Sequence, residues 1–352
     1  MTAAGADRAA DGAVIHLEEV GSVGRLHDVE RAWEDLWWRA PAATPFSSPA
    51  WLLPWCDHLL RQRPWALLAW RGASLVGLFP GLVYRRSAVR VLGLLGGGAS
   101  DYQDALVADG AAAGALLAAV ARRSDAFDVA DLEALPPWSP LLGAAPPDGL
   151  ERTVEPQERC PVLPLPARFD DLSSRTSHHL LSDVRYRQRR LQRRGGFEIA
   201  RADASTLEEF LAELFRLHQA RWATRSRPGV LRGRDLARFH RDSARALLAR
   251  GMLRLYAMRV GGATVGVLHC VAARARTYAY ASALDPAAAS HSPGSLLFAH
   301  AIERAIAEGC RELDFLRGDE QYKYRWGAED RMTSRLVLAP RARERAHLTA
   351  PL

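Results

Sequence analysis

The chain has 352 residues, long for a single hydrophobic core, and its 48% hydrophobic and 25% charged content is that of a globular protein of two domains. A formal charge of +7 is compatible with phosphates, coenzymes or nucleic acid as partners and proves none of them. No run approaches the roughly 20 apolar residues of a membrane span, and Cys56, Cys160, Cys270 and Cys310 are too sparse for a disulfide framework and lack metal-ligand spacing, so a cytoplasmic protein with buried thiols and no metal is expected.

In chain order, residues 1–12 are Ala-, Gly- and Asp-rich and read as a disordered tail rather than a leader or anchor. Val14–Val20 predicts a strand. Gly24–Arg39 carries Leu26, Val29, Trp33, Leu36 and Trp37 at helical spacing and predicts one amphipathic helix. Ser48 and Pro49 suit an N-cap and first position of a helix reaching Leu60. Trp65–Trp70 and Leu75–Tyr84 predict a hairpin, and Val89–Leu95 a third strand. A helix over Ala111–Arg123, a strand over Phe127–Leu132 and a proline-rich loop over residues 136–147 follow. After a short extended piece, Cys160–Leu165, comes a long Arg-rich helical region, Phe169–Arg194, ended by Gly195-Gly196. Phe197–Arg201 predicts a strand, and Ser205 with Glu208 a capping box opening the next helix. A helix over Asp235–Arg250 leads into a meander, Leu253–Met258, Thr264–Ala272 and Thr277–Leu284. A helix over Gly294–Glu308 and strands at Arg311–Leu316 and Arg335–Leu338 complete the reading.

This order repeats itself. Ala69–Gly77 resembles Ala257–Gly266 with one inserted residue, and Gly114–Leu117 before Asp131-Leu132 mirrors Gly294–Leu297 before Asp314-Phe315. The two matches come in the same order, hairpin, third strand, helix, strand, at a nearly constant offset, which points to a duplicated α/β domain.

The densest chemistry lies in Leu313–Gly327, an apolar run that breaks at Gly318 into acids, bases and aromatics around Lys323, the only lysine among 47 Lys and Arg. A strand ending in such a tip reads as a site carried on a rigid element. Lys323 is expected to hold an acceptor phosphate or carboxylate as a point charge, and Asp319 or Glu320 to act as general base. Tyr322, Tyr324 and Trp326 suit stacking on a sugar or acyl group, with Arg317 as a further substrate contact; the alternative is a solvated loop folded back as a lid. Six arginines within Arg185–Arg194 read as an RNA contact, an anionic-saccharide contact or a solvated helix face. The adjacent His178 and His179 point about 100° apart on a helix and cannot readily share a metal.

Ser292-Pro293-Gly294 before a helix, Leu313-Asp314-Phe315, Gly318–Lys323 with Trp326, and Ser100-Asp101-Tyr102 in the first half together resemble the CelD-like, cellulose-biosynthesis type of acetyltransferase. That type belongs to the Gcn5-related N-acetyltransferase superfamily and is related to the FemA/FemX aminoacyltransferases. The resemblance implies an α/β (α+β) fold of two tandem acetyltransferase-like domains, over residues 13–165 and 166–340 with a tail at 341–352. Each would be a mixed, mostly antiparallel sheet flanked by helices.

It further implies transfer of an acyl group, expected to be acetyl, from acyl-CoA to an amine or hydroxyl of a small-molecule, sugar or polysaccharide-precursor acceptor. His291, Ser292, Gly294 and Ser295 would hold the coenzyme A pyrophosphate at a helix N-terminus, though Ser292 and Pro293 also fit an ordinary helix start. Thr277–Leu284 would splay from its neighbour so that a backbone N–H polarises the thioester carbonyl, with Tyr278 or Tyr280 protonating the leaving thiolate. Asp101 and Tyr102 would line the acceptor cleft opposite Lys323 and Asp319. Aminoacyl-tRNA is the alternative donor, and a non-catalytic scaffold for exopolysaccharide assembly the alternative role.

Overall fold

A computed structural model describes residues 14–123, 125–146, 148–177, 179–223 and 233–340; His178 and the tails expected at 1–12 and 341–352 lie outside the described residues. Among the described residues the chain forms two compact units, residues 14–157 with 333–340, and residues 158–332.

In the first unit, β1 (Ile15–Val20), α1 (Val23–Asp28), α2 (Glu30–Arg39) and α3 (Pro49–His58) precede β2 (Ala66–Arg71), β3 (Ser74–Phe79), β4 (Gly81–Arg86) and β5 (Val89–Leu94). Then come β6 (Leu106–Val107), α4 (Gly110–Arg122), β7 (Val129–Leu135), the single turn α5 (Pro140–Gly143) and β8 (Leu150–Pro164), within which the first unit ends. β1, β2, β3 and β6 pair antiparallel in that order. The single strand expected over Leu75–Tyr84 breaks at Pro80, because proline has no N–H for a ladder, and its second half, β4, pairs with β5 instead. β7 lies parallel to β5 across the α4 crossover, the connection that parallel pairing requires. The helix expected over Gly24–Arg39 divides at Val29, whose φ of −96° and ψ of 7° are not helical.

In the second unit, α6 (Leu180–Arg193), β9 (Phe197–Arg201), α7 (Leu207–Ala223), α8 (Arg234–Ala249), β10 (Leu253–Val260), β11 (Ala263–Ala273) and β12 (Arg276–Leu284) come first. They are followed by α9 (Pro293–Ala307), β13 (Glu312–Asp314), α10 (Gln321–Arg325) and β14 (Glu329–Pro340), the last of which crosses back into the first unit. β9, β10, β11 and β12 pair antiparallel in sequence, β13 joins β12 in parallel, and the end of β8 joins β13 antiparallel. The capping box expected on Ser205 is replaced by Asp203, whose Oδ1 accepts from the N–H and hydroxyl of both Ser205 and Thr206. Those bonds hold its carboxyl down at about 2.

The units are cut differently from the expected 13–165 and 166–340. Leu163, at the end of β8, is buried in the second core with Leu180, Leu181, Val184 and Leu191 of α6, and with Leu296, Leu297 and Ile302 of α9. Leu336 and Leu338, expected in the second domain, pack into the first core beside Leu92, Leu116, Leu132 and Leu135. Each such fully buried side chain contributes about 1.5–3 kcal/mol, and that burial decides to which unit a strand segment belongs.

Candidate active site

The parallel pair of the second unit closes at one end and opens at the other. Its register is Arg276 with Glu312, Thr277 with Leu313 and Tyr278 with Asp314. β13 then ends, whereas β12 continues from Ala279 to Leu284. The chain after Asp314 is turned away by its own side chains. Asp314 Oδ1 accepts the Leu316 N–H at 2.8 Å, and Leu316 adopts a left-handed φ of 58°. The Phe315 and Gly318 N–H groups donate to the carbonyls of Pro161 and Arg159 on β8.

β12 carries an irregularity at the same level. His269 pairs with Ala281 and Cys270 with Ala279, so Tyr280 is an extra residue on β12, a bulge that bends the strand and re-aims its backbone groups. The half-buried Tyr280 ring lies 5.4 Å from that of His269 and 5.6 Å from that of His240. Burial, with a smaller contribution from the neighbouring histidines, lowers His240 to about 3, and burial lowers His269 to about 4. Both imidazoles are therefore neutral at pH 7. Neither His269 ring nitrogen has a hydrogen-bond partner among the described residues. With buried His218 on α7, these histidines form a polar cluster inside unit 2 that the sequence reading missed. The available signal was one histidine in the otherwise apolar run Val265–Ala272.

Beyond β12, a 3-10 turn, Pro286–His291, leads to α9. Ser292 occupies the N-cap position with φ 52° and ψ 50°, and its hydroxyl makes no cap bond. This differs from an ordinary serine cap, which is extended and bonded to the first turn. Pro293 has no N–H, so the open donors of the first turn start at Gly294 and Ser295. A side chain at Gly294 would bring its Cβ to 3.0 Å from Leu284 Cδ1. Half-buried His291 keeps a Nδ1 with no partner among the described residues. Among the described residues no group of three or more His, Cys, Asp or Glu is arranged to hold a metal ion.

Lys323 is placed differently from the expected point charge. It is 2% exposed, and its ammonium donates to the carbonyls of Leu316 (3.1 Å), Arg317 (2.7 Å) and Gly318 (3.0 Å), with Glu320 Oε2 at 2.8 Å. Its three protons are spent inside the chain, because α10 folds back and brings the lysine under the turn that follows β13. Trp326, expected to stack on a ligand, is 2% exposed and belongs to the second core. Tyr322 keeps a 40% exposed ring against Phe298 and Phe315. Tyr324 donates to Asp330 Oδ1 at 2.6 Å. Arg317 and Asp319 are exposed on the loop that Lys323 organises. In the first unit, Asp101 is half-buried, while Tyr102 is 1% exposed and packs on Phe46 and Trp138, the position of a core ring rather than a cleft wall.

Residues 178–324 match the family described as "Acetyltransferase (GNAT) domain". A comparison with curated proteins returns no match. Among solved structures, FemX is similar at 11% identity with a TM-score of 0.62, over 87% of this chain and 95% of that one. L-PGS from Bacillus licheniformis is similar at 12% identity and TM-score 0.58, over 93% and 95%. The C-terminal domain of a putative lysylphosphatidylglycerol synthetase from Agrobacterium fabrum is similar at 10% and 0.57, over 89% and 91%. Identities this low establish a shared fold and nothing finer. Among the described residues no helix is long and apolar enough to cross a membrane. Within the second unit, residues 178–324 are similar to a GNAT-type acetyltransferase domain, and the chain has the mixed α/β fold of FemX and the lysylphosphatidylglycerol synthetase structures.

Proposed function

We propose that the second unit is an acyltransferase that seats an acyl thioester, acyl-CoA by class, in the opening between β12 and β13 and passes the acyl group to an amine or hydroxyl of a small molecule or saccharide. The observation that carries this reading is the parallel register that stops at Tyr278 and Asp314, with the Tyr280 bulge just beyond it. A strand freed on one edge presents backbone N–H groups to a carbonyl oxygen on which negative charge develops. The first turn of α9, with open donors from Gly294 and Ser295, suits a pyrophosphate, and His291 stands beside it.

In this reading the acceptor N–H or O–H gives its proton to Asp319. The acceptor lone pair forms the bond to the acyl carbon as the C–S bond breaks, and the Tyr280 phenol protonates the departing thiolate. Arg317 and Tyr322 contact the acceptor. Lys323 is a positioning residue, since it reaches Asp319 and Arg317 only through the carbonyls of their loop.

Calorimetry with acetyl-CoA tests the proposal. Saturable binding is expected, and Gly294→Val should weaken it by roughly tenfold or more, about 1.4 kcal/mol, because the new side chain meets Leu284 at the turn. Failure of every acyl-CoA to bind refutes the reading. A second reading, with aminoacyl-tRNA as donor, is favoured by Arg185, Arg189 and Arg193 lying exposed on α6 and Arg194 exposed at its C-cap. Filter binding of tRNA that is unchanged after those four are replaced by alanine counts heavily against it, and a failure of the parent protein to bind tRNA excludes it.

A further inference from the structure

The first unit repeats the device of the second. β5 and β7 are parallel and pair through Val91 with Val129 and Leu92 with Ala130. Beyond that pair, Gly93 on β5 and Asp131 and Glu133 on β7 line a cavity of about 160 Å³ together with Trp55, Tyr84 and Gln103. The duplicated opening has kept its space and changed its chemistry.

Two aromatic side chains form walls. Trp55 is fixed by its indole N–H, which donates to the Gly97 carbonyl at 3.2 Å. The Tyr84 oxygen accepts from Arg86 at 2.9 Å, which leaves its own proton available to donate. Gly93 keeps the space open, since a Cβ there would stand 3.1 Å from Tyr84 Cε1. Asp131, 4% exposed, is held by Arg335 through both oxygens (2.6 and 2.9 Å) and by Arg86 at 3.0 Å. Burial works to raise its pKa, but the two guanidiniums outweigh it and keep the carboxylate ionised.

These charges select the ligand. Two carboxylates line the cavity and two guanidiniums stand behind Asp131, so its charges balance, and neither an anion nor a cation finds a counter-charge that is not already paired. A purely apolar ligand leaves the half-buried Gln103 amide and the Tyr84 phenol proton without partners. A neutral polyhydroxylated ring satisfies all of them: its hydroxyls donate to Glu133 and to the Gln103 carbonyl, and accept from the Gln103 amide and Tyr84. Its C–H face lies on an aromatic wall. The volume is well under the about 300–1,000 Å³ of pockets for drug-sized ligands and suits one six-membered ring. We infer that the opening between β5 and β7 is a monosaccharide-binding site of the first unit, independent of any transfer activity in the second.

The test uses the full-length protein without an acyl donor. The Trp55 indole N–H resonance, assigned with Trp55→Phe, is followed while D-glucose and N-acetyl-D-glucosamine are titrated in turn. A saturable shift is expected with at least one sugar, weakened by roughly tenfold in Glu133→Ala and in Gln103→Ala and unchanged in Gly294→Val. Both pocket substitutions are at exposed or half-buried positions and should leave the thermal midpoint unmoved. The inference is overturned if neither sugar gives a saturable shift, if both pocket variants bind as the parent does, or if ethylammonium or inorganic phosphate saturates the site in place of the sugars.

Discussion

Replacing Lys323 by methionine separates a positioning role from a catalytic one. The substitution keeps the buried stem and removes the ammonium that bonds three carbonyls and Glu320. A hydrogen bond to a charged group contributes about 1.5–3 kcal/mol, and each carbonyl left buried without a donor costs about 1–3 kcal/mol. These terms overlap and part of the turn reaches solvent, so a loss of about 3–5 kcal/mol is expected, the size seen on breaking a buried ionic contact. At about 2–4 °C per kcal/mol for a unit of this size, the thermal midpoint of unit 2 should fall by roughly 10 °C. Differential scanning calorimetry of the full chain measures it, beside acetyl-CoA titration under conditions where the variant is folded. Lys323→Arg should not restore stability, because a planar fork cannot donate to three carbonyls clustered around one nitrogen. A midpoint within about 2 °C of the parent, with acceptor turnover abolished, would refute the reasoning and return Lys323 to a direct role at the substrate.

Two further predictions concern charge and pH. Arg335→Met takes from the buried Asp131 carboxylate the guanidinium that holds both its oxygens, keeps the Arg86 contact, and should cost about 2–4 kcal/mol in urea unfolding at pH 7; a change under about 0.5 kcal/mol would show the pair to be ornamental. His240 and His269 have folded-state pKa values of about 3 and about 4, below the usual 6.5, so the unfolded chain binds more protons in between. Stability from these groups is complete above pH 6.5 and is lost as pH falls toward 4, by about 1.4 kcal/mol per histidine per pH unit. His269→Leu should flatten that slope by about half between roughly pH 6.5 and 4.5 in chemical denaturation, and a slope equal to the parent's would reject the assignment.

Much of the fold was legible from periodicity. The meander of β10, β11 and β12, the helix α9 and the order of elements along each half follow from alternation, helical spacing and the internal repeat, because each depends on neighbours in sequence. The turn at Ser292–Ser295 was also visible, since Pro-Gly after a short loop is local helix-start chemistry. Other features required long-range contacts. Nothing local to Lys323 tells that α10 folds back and spends its charge on carbonyls five to seven residues earlier. Trp326 looked like a ligand-stacking ring and Tyr102 like a cleft wall because composition marks an aromatic without telling which side of a surface it faces.

By itself the sequence determined most of the strand and helix segments and that an α/β arrangement occurs twice, but not the breaks at Val29 and Pro80 or the helix Gln321–Arg325. Those properties are set by side-chain period and turn chemistry along a few residues. The tertiary structure alone decided where each parallel pair opens, that Tyr280 is a bulge over two neutral histidines, and that β14 ends in the first core through Leu336, Leu338 and the Arg335–Asp131 pair. Register, burial and desolvation are properties of segments brought together from distant parts of the chain, and no local pattern encodes them.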